Sequence, residues 1–138
     1  MDASHVLHAD GASVGKHFVI ELARTPEEWV KGLSGRTELS GGHGLFFVYQ
    51  TSEPRSFWMK GMLFPIDIIY IDELSKVVHV EKDVPPIRPN DESKLYSSRV
   101  PIKYALEVNA GESSDIITGN SCELNFNNDI SRYILTFI

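Results

Sequence analysis

An aromatic side chain and several charged side chains cluster in the middle of the sequence, where Trp58 and Lys60 precede Asp67. Residues two positions apart on a strand share a face, so Trp58 and Lys60 are expected side by side. Asp67 on the next strand would pair with Lys60, and Arg36, at the end of a predicted helix, would reach the same edge. An indole beside paired charges suits a ligand with an apolar ring or sugar face and a polar or anionic group. The alternative is structural, with Trp58 in the core and Lys60–Asp67 as an ordinary ion pair of the sheet.

A pair of carboxylates offers a different chemistry. Glu107 interrupts an otherwise apolar segment, and with Asp67 it forms a candidate acid/base pair for hydrolysis of a saccharide or small ester. That chemistry needs a separation of roughly 5–9 Å, which the sequence does not fix. The structural alternative for Glu107 is a sheet-edge position or an ion pair with Arg36 or Lys60. The ligand-binding candidates are Arg36, Trp58, Lys60, Asp67 and Glu107, and no residue is assigned as catalytic under the binding hypothesis.

Other chemical motifs are incomplete. Residues 32–36 read Gly-Leu-Ser-Gly-Arg, but a nucleophile elbow needs a strand before the serine and a glycine where Arg36 stands. The glycine-rich loop over 41–44 lacks the Lys-Ser/Thr pair of a phosphate-binding loop. The five histidines show no metal-ligand spacing, and Cys122 has no cation or histidine nearby in sequence. We therefore predict neither a metal nor a cofactor.

The charge of the chain argues against nucleic acid as a partner. Lys and Arg number 13 against 19 Asp and Glu, which gives a formal net charge of −6. The basic residues are scattered singly, so no patch attracts a phosphate backbone. The most apolar segment, 57–71, is interrupted by a lysine, a glycine, a proline and an aspartate and is not a membrane span. We expect a small molecule or a protein as the partner.

Cysteine content and the first residues bear on location. A single cysteine excludes an intrachain disulfide and is compatible with a reducing compartment. Residues 1–5 have neither the basic nor the apolar region of a signal peptide. We expect a cytoplasmic location if Met1 is the native start, and export if a leader peptide precedes this sequence.

The candidate residues must be positioned mainly by strands, because clear helix signals occur at one place. Thr25 as N-cap, Pro26 in the first turn and Glu28 in a capping box predict a short helix over 26–33. Alternation or short apolar runs predict the strands. Their ranges are 5–9, 16–23, 45–49, 55–60, 66–72, 76–82, 103–108, 121–126 and 130–138, with a turn over 11–15 and a proline-rich loop over 83–101. This pattern predicts a mainly β fold, a compact antiparallel β-sandwich or barrel with one short helix.

The centre of the chain resembles a family signature. Phe57-Trp58-Met59-Lys60 and then Pro65-Ile66-Asp67-Ile68-Ile69-Tyr70-Ile71-Asp72 are similar to the signature of the family called domain of unknown function 192. Further motifs follow in the family's order: Thr25 to Glu28, Gly32 to Arg36, Gly44 to Val48, Val84 to Pro86, Tyr104 to Glu107, and Ala110-Gly111. Gly61-Met62 stands where members commonly carry Asn-Thr. The resemblance implies a mainly β domain, often exported in bacteria, and implies no reaction.

These features favour a non-catalytic binding or accessory module. We expect one soluble domain over 1–138, with a family-like core over about 17–126 and a C-terminal β-hairpin over 121–138. The alternative function is a hydrolase that uses the two carboxylates. A third hypothesis gives the proline-rich loop, from Val84 to Pro101, a protein partner.

Overall fold

The computed structural model describes residues 15–88, 90 and 94–138. The strand predicted over 5–9 and all but the last residue of the turn predicted over 11–15 lie outside the described residues. Within the described part, the elements in chain order are β1 (Lys16–Ala23), α1 (Pro26–Lys31), β2 (His43–Glu53), β3 (Ser56–Phe57), β4 (Ile66–Ile71), β5 (Val77–Val84), β6 (Tyr96–Ser97), β7 (Ile102–Asn109), β8 (Cys122–Asn127) and β9 (Arg132–Phe137).

Seven of these strands form one sheet in the order β5-β4-β7-β2-β1-β9-β8, and β3 pairs with β6 in a second sheet. The mainly β class with one short helix is confirmed. Neighbouring strands pair antiparallel except β1 and β2, which are parallel because α1 and the loop after it form a crossover between them. The large sheet is not closed into a barrel, although Lys76 before β5 and Ser121 before β8 form an isolated bridge.

Each face of the large sheet has its own hydrophobic core, because successive strand residues point to opposite faces. The helix-side core contains Phe47 and Ile68 and packs against Trp29 of α1. The far-side core contains Phe46 and Ile69, the sequence neighbours of the first pair. β4 is buried along its whole length, so apart from Asp67 its residues are apolar or aromatic on both faces and show no polar alternation.

The helix begins at its predicted cap and ends two residues earlier than predicted. The Thr25 hydroxyl accepts a hydrogen bond from Glu28 N, and the Glu28 carboxylate accepts one from Thr25 N, each 3.2 Å long. α1 stops at Lys31 because Gly32 adopts a positive φ of 49°, a conformation that favours glycine. The next residue, Leu33, then enters the helix-side core.

The strand predicted over 55–60 is shorter than expected and consists of β3 alone. A turn follows in which Gly61 has a φ of 79° and its carbonyl accepts a hydrogen bond from Gly35 N at 2.9 Å. Trp58 and Lys60 therefore lie on a loop beside the end of the helix. The proline-rich segment supplies β6, the partner of β3.

The predicted C-terminal hairpin is part of the large sheet. β8 and β9 pair antiparallel, and β9 also pairs with β1 on its other side. Leu135 and Phe137 of β9 lie in the far-side core. Within residues 15–88, 90 and 94–138, no helix has the length and apolar character that a membrane crossing requires.

Candidate functional site

A cavity of about 450 Å³ opens between α1 and the helix-side face of the sheet, and we call it the aromatic pocket. This volume lies within the range typical of small-molecule sites, roughly 300–1,000 Å³. The segment 54–58 closes one side. The other side chains that define the pocket are Trp29, Val30 and Lys31 of α1, Phe47 and Tyr49 of β2, and Glu107 of β7.

Glu107 is the buried polar group of this pocket. It lies opposite Ile68 of β4, and strand alternation places it on the helix-side face. The residue is 6% exposed, and its Oε1 atom has no hydrogen-bond partner among the described residues. Gly32 leaves space there, since a Cβ at that position would lie 3.5 Å from Oε1. A buried carboxyl oxygen without a partner is costly, which makes it a functional candidate.

Burial also changes the protonation of Glu107. Loss of hydration raises the pKa of its carboxyl to about 8, because the charged form is disfavoured in an apolar environment. At neutral pH the group is therefore mainly a carboxylic acid. In that form it can donate one hydrogen bond and accept others from a bound molecule.

Aromatic rings form the walls above Glu107. Trp29 and Tyr49 have ring centroids 5.0 Å apart, and the Trp29 indole donates a hydrogen bond to the Ala23 carbonyl at 3.0 Å. Phe47 and Phe57 meet edge to face at 5.3 Å. These contacts fix the rings against the sheet, so the pocket presents apolar surfaces of defined orientation.

Arg55 brings a cation to the pocket. Its Cζ lies 3.8 Å from the Tyr49 ring centroid, and its Nη2 donates a hydrogen bond to the Thr51 carbonyl at 3.0 Å. Nη2 also lies 3.6 Å from a Glu53 carboxylate oxygen. The buried Nε atom has no hydrogen-bond partner among the described residues. The guanidinium is thus held in place while one of its donors remains unused.

Trp58 and Lys60 lie together at the mouth of the pocket, as predicted, although they do so from a loop. Trp58 lines the pocket and is 51% exposed, so it is not a core residue. The Lys60 ammonium lies 5.3 Å from the Trp58 ring centroid. The Lys60 carbonyl accepts a hydrogen bond from the Ser34 hydroxyl at 2.8 Å, which ties this loop to the end of the helix.

Asp67 does not join this group, and the predicted Lys60–Asp67 pair is not formed. Its neighbours Ile66 and Ile68 point into the helix-side core, so Asp67 points to the far side of the sheet. Its carboxylate is 1% exposed and accepts four hydrogen bonds of 2.6–3.1 Å. The donors are Asp83 N, Gly111 N, Ser113 N and the Ser113 hydroxyl. These bonds tie β5 and the segment after β7 to β4, which is a structural role.

The predicted acid/base pair fails for the same reason. Asp67 is aligned with Val108, and Glu107 with Ile68, so the two carboxylates come from adjacent positions but opposite faces. They do not converge on one substrate.

Arg36 is also held away from the predicted site. Both of its terminal nitrogens donate to the Glu21 carboxylate of β1, at 3.0 and 2.8 Å. This hydrogen bond with Arg36 lowers the pKa of Glu21 below its usual range. The pair is partly exposed, and it binds the segment after α1 to β1.

The described residues contain no group of three or more His, Cys, Asp or Glu side chains arranged to hold a metal ion. Burial raises the pKa of the Cys122 thiol to about 12, so the thiolate is scarce at neutral pH. Neither a metal site nor a reactive thiol is therefore added to the aromatic pocket by the described residues.

Arg55, Trp29 and Tyr49 are the residues that sequence reasoning missed. Arg55 is one of the basic residues that are scattered singly along the sequence, and Trp29 lies in the helix predicted over 26–33. Their meeting depends on the crossover that brings α1 over β2. The one local signal is the proline before Arg55, which ends β2 and turns the chain toward the pocket.

Two solved structures are similar to this chain. A protein of unknown function from Novosphingobium aromaticivorans DSM 12444 is 27% identical, with a TM-score of 0.69, over 86% of this chain and 91% of that chain. A "putative transcription regulator" from Sinorhizobium meliloti 1021 is 21% identical, with a TM-score of 0.69, over 99% of this chain and 98% of that chain. The second likeness shows the fold alone. No curated protein matches the chain.

The family model agrees with the signature found in the sequence. It matches residues 6–124, most of the chain, and the family is described as DUF192, "Uncharacterized ACR". The resemblance noted from the motifs is thereby confirmed, and the chain belongs to the domain of unknown function 192 family.

Proposed function

We propose that this protein is a non-catalytic small-molecule-binding module and that the aromatic pocket is its binding site. The observation that carries the proposal is the buried, unpartnered Oε1 of Glu107 in a cavity of about 450 Å³. A polar atom in such a position gains a hydrogen bond when a ligand of matching shape enters.

The lining of the pocket favours binding over hydrolysis. Among the described lining residues Glu107 is the single carboxyl, and none is a histidine or cysteine. Acid/base hydrolysis of a glycoside needs two carboxyl groups in one site. The Ser34 hydroxyl donates its hydrogen bond to the Lys60 carbonyl and not to a side-chain base. Asp67, the other half of the predicted pair, contributes nothing to the pocket.

Trp58 extends the pocket toward solvent. Its ring is half exposed, and an exposed indole at the mouth of an aromatic cavity is a surface on which an incoming ring packs. Arg55 and Lys60 place cations beside that surface. Both polar and apolar contacts are therefore available to one small molecule.

The test is a titration followed by ¹H–¹⁵N correlation spectra. The probes are small single-ring aromatic compounds in three matched groups, neutral, anionic and cationic. We expect members of the set to shift the Trp29 indole signal and the amides of the 55–58 segment. In Trp58→Ala the affinity should fall about 5- to 10-fold, which corresponds to the loss of one aromatic contact.

Phe126→Ala is the matched control. Phe126 is 50% exposed on β8 and does not line the pocket, so its loss should leave the affinity unchanged. The proposal is wrong if no probe of any charge shifts the pocket signals of the parent protein at millimolar concentration. It is also wrong if the two variants lose affinity equally.

A further inference from the structure

We infer, on the basis of the proposed function, that the ligand is a small planar aromatic carboxylate. Its carboxylate contacts Arg55, its ring packs between the aromatic walls, and a polar group on the far end of the ring reaches Glu107.

The charges around the pocket favour an anionic ligand. Lys31 and Arg55 line it, and Lys60 lies above the Trp58 ring at its mouth. The chain as a whole has a net charge of −6, so a cationic pocket is a local exception to the overall field. Such a local concentration of one sign attracts a ligand of the opposite sign.

The Arg55 guanidinium is held in an orientation that suits binding of an anion. Stacking on Tyr49 at 3.8 Å and the bond from Nη2 to the Thr51 carbonyl fix the plane of the guanidinium. Its buried Nε donor is unused, and a carboxylate oxygen would satisfy it. Glu53 balances part of the charge at 3.6 Å, but its carboxylate is 55% exposed and is therefore screened by water.

The geometry of the walls selects a flat molecule. Trp29 and Tyr49 are inclined by 52°, and Phe57 presents its edge to Phe47 at 87°. A planar ring can meet these surfaces with the offset and edge-to-face contacts that aromatic rings prefer.

Glu107 selects the other end of the ligand. Tyr49 and Tyr70 belong to the helix-side core that Glu107 faces, and the Arg55 guanidinium lies over the Tyr49 ring. As a neutral acid, Glu107 does not repel an anionic ligand, and it can exchange hydrogen bonds with a ring hydroxyl.

Four compounds of nearly equal size test the inference by titration calorimetry with the full chain near pH 7. They are 4-hydroxybenzoate, its neutral analogue 4-hydroxybenzamide, its cationic analogue 4-hydroxybenzylamine, and benzoate without the hydroxyl. We expect 4-hydroxybenzoate to bind about 10-fold more tightly than the amide, because a charge-assisted hydrogen bond replaces a neutral one. Benzoate should bind about 5-fold more weakly than 4-hydroxybenzoate, because Glu107 Oε1 stays unpartnered.

Two variants test which residue causes the preference for the carboxylate and which causes the preference for the ring hydroxyl. Arg55→Gln should abolish the advantage of the carboxylate over the amide, while Arg132→Gln, which changes an exposed arginine of β9, should keep it. Glu107→Leu should abolish the advantage of the hydroxyl and retain that of the carboxylate. The relative affinities of the four compounds for the parent protein test the inference without either variant. The inference can therefore be tested even if a variant fails to fold.

The inference is overturned if the amide or the amine binds in the pocket as tightly as 4-hydroxybenzoate. In that case a pocket that still binds aromatic compounds preserves the proposed function and rejects only this ligand class. If none of the four binds while other aromatic probes shift the pocket signals, the ligand class is likewise rejected. If no aromatic probe of any charge binds, both proposals fail.

Discussion

Asp67 and Glu107 occupy neighbouring positions of paired strands β4 and β7, yet their carboxylates point to opposite faces of the sheet. Asp67 is saturated with four hydrogen bonds, whereas one oxygen of Glu107 has no partner among the described residues. Asp67 therefore stabilises the fold, whereas Glu107 is the group that we propose contacts a ligand.

Glu107→Gln should change how stability depends on pH. In the folded protein the pKa of Glu107 is about 8, against an ordinary value of 4.5. Between these values unfolding releases a proton, so rising pH favours the unfolded chain by up to about 1.4 kcal/mol per pH unit from this group. We expect the free energy of unfolding of the parent to fall between pH 4.5 and 8 relative to that of the variant, as measured by urea denaturation.

Glu73→Gln, in the exposed turn before β5, is the control for this experiment. The free energy of unfolding of this variant should change with pH in the same way as that of the parent over the same range. Parallel curves for the parent and Glu107→Gln would contradict the raised pKa.

Asp67→Asn should be strongly destabilising. The substitution replaces one acceptor oxygen by an NH₂ group, which faces backbone and hydroxyl donors in a buried site. We expect a loss of about 2–4 kcal/mol in the free energy of unfolding, and Ser113→Ala should cost about 1–2 kcal/mol because it removes one hydroxyl donor. Thermal and chemical denaturation measure both losses. Equal losses for the two variants would contradict the expectation that Asp67 contributes more to stability than the Ser113 hydroxyl.

Arg36→Ala should have a small effect despite its short contacts with Glu21. The pair is partly exposed, and exposed ion pairs contribute about 0.2–1 kcal/mol. A double-mutant cycle with Glu21→Ala measures the coupling energy directly. We expect the coupling to shrink when salt is raised to about 0.5 M. A coupling above about 2 kcal/mol, or one insensitive to salt, would point to a buried pair instead.

Thr25→Ala should loosen the helix wall of the pocket. The hydroxyl satisfies Glu28 N in a capping box, and loss of such a cap costs about 1 kcal/mol. Thr25→Ser preserves the hydroxyl and should be nearly neutral. Amide hydrogen exchange over 26–31 should accelerate in the alanine variant and not in the serine variant. Equal exchange in both would indicate that packing of Trp29, rather than the cap, holds the helix.

Local signals predicted the elements well. Thr25, Pro26 and Glu28 fixed the start of α1 because capping depends on residues adjacent in sequence. The mainly β class followed from strand-length runs bounded by turn residues, and the family from motifs in a fixed order. Trp58 and Lys60 do lie side by side, but on a loop after β3 and not on one face of a strand, so the alternation that predicted their contact is not its cause.

The wrong expectations about side-chain contacts concern which face or which partner a residue has. Asp67 stands in a strand buried on both sides, where no polar alternation marks the face, so its direction could not be read from the sequence. Arg36 pairs with Glu21 of β1 through the crossover rather than through spacing. Such contacts are set by tertiary packing.

The position of β9 between β1 and β8 has a consequence for how the molecule assembles. β1 acquires its neighbour on this side from residues more than 100 positions later in the chain. Pairings so distant in sequence slow folding, because the intervening chain must be closed into a loop before the contact forms. During synthesis, one flank of β1 must therefore wait until β9 has left the ribosome. Until then its open edge is the part of the nascent chain most exposed to wrong strand partners.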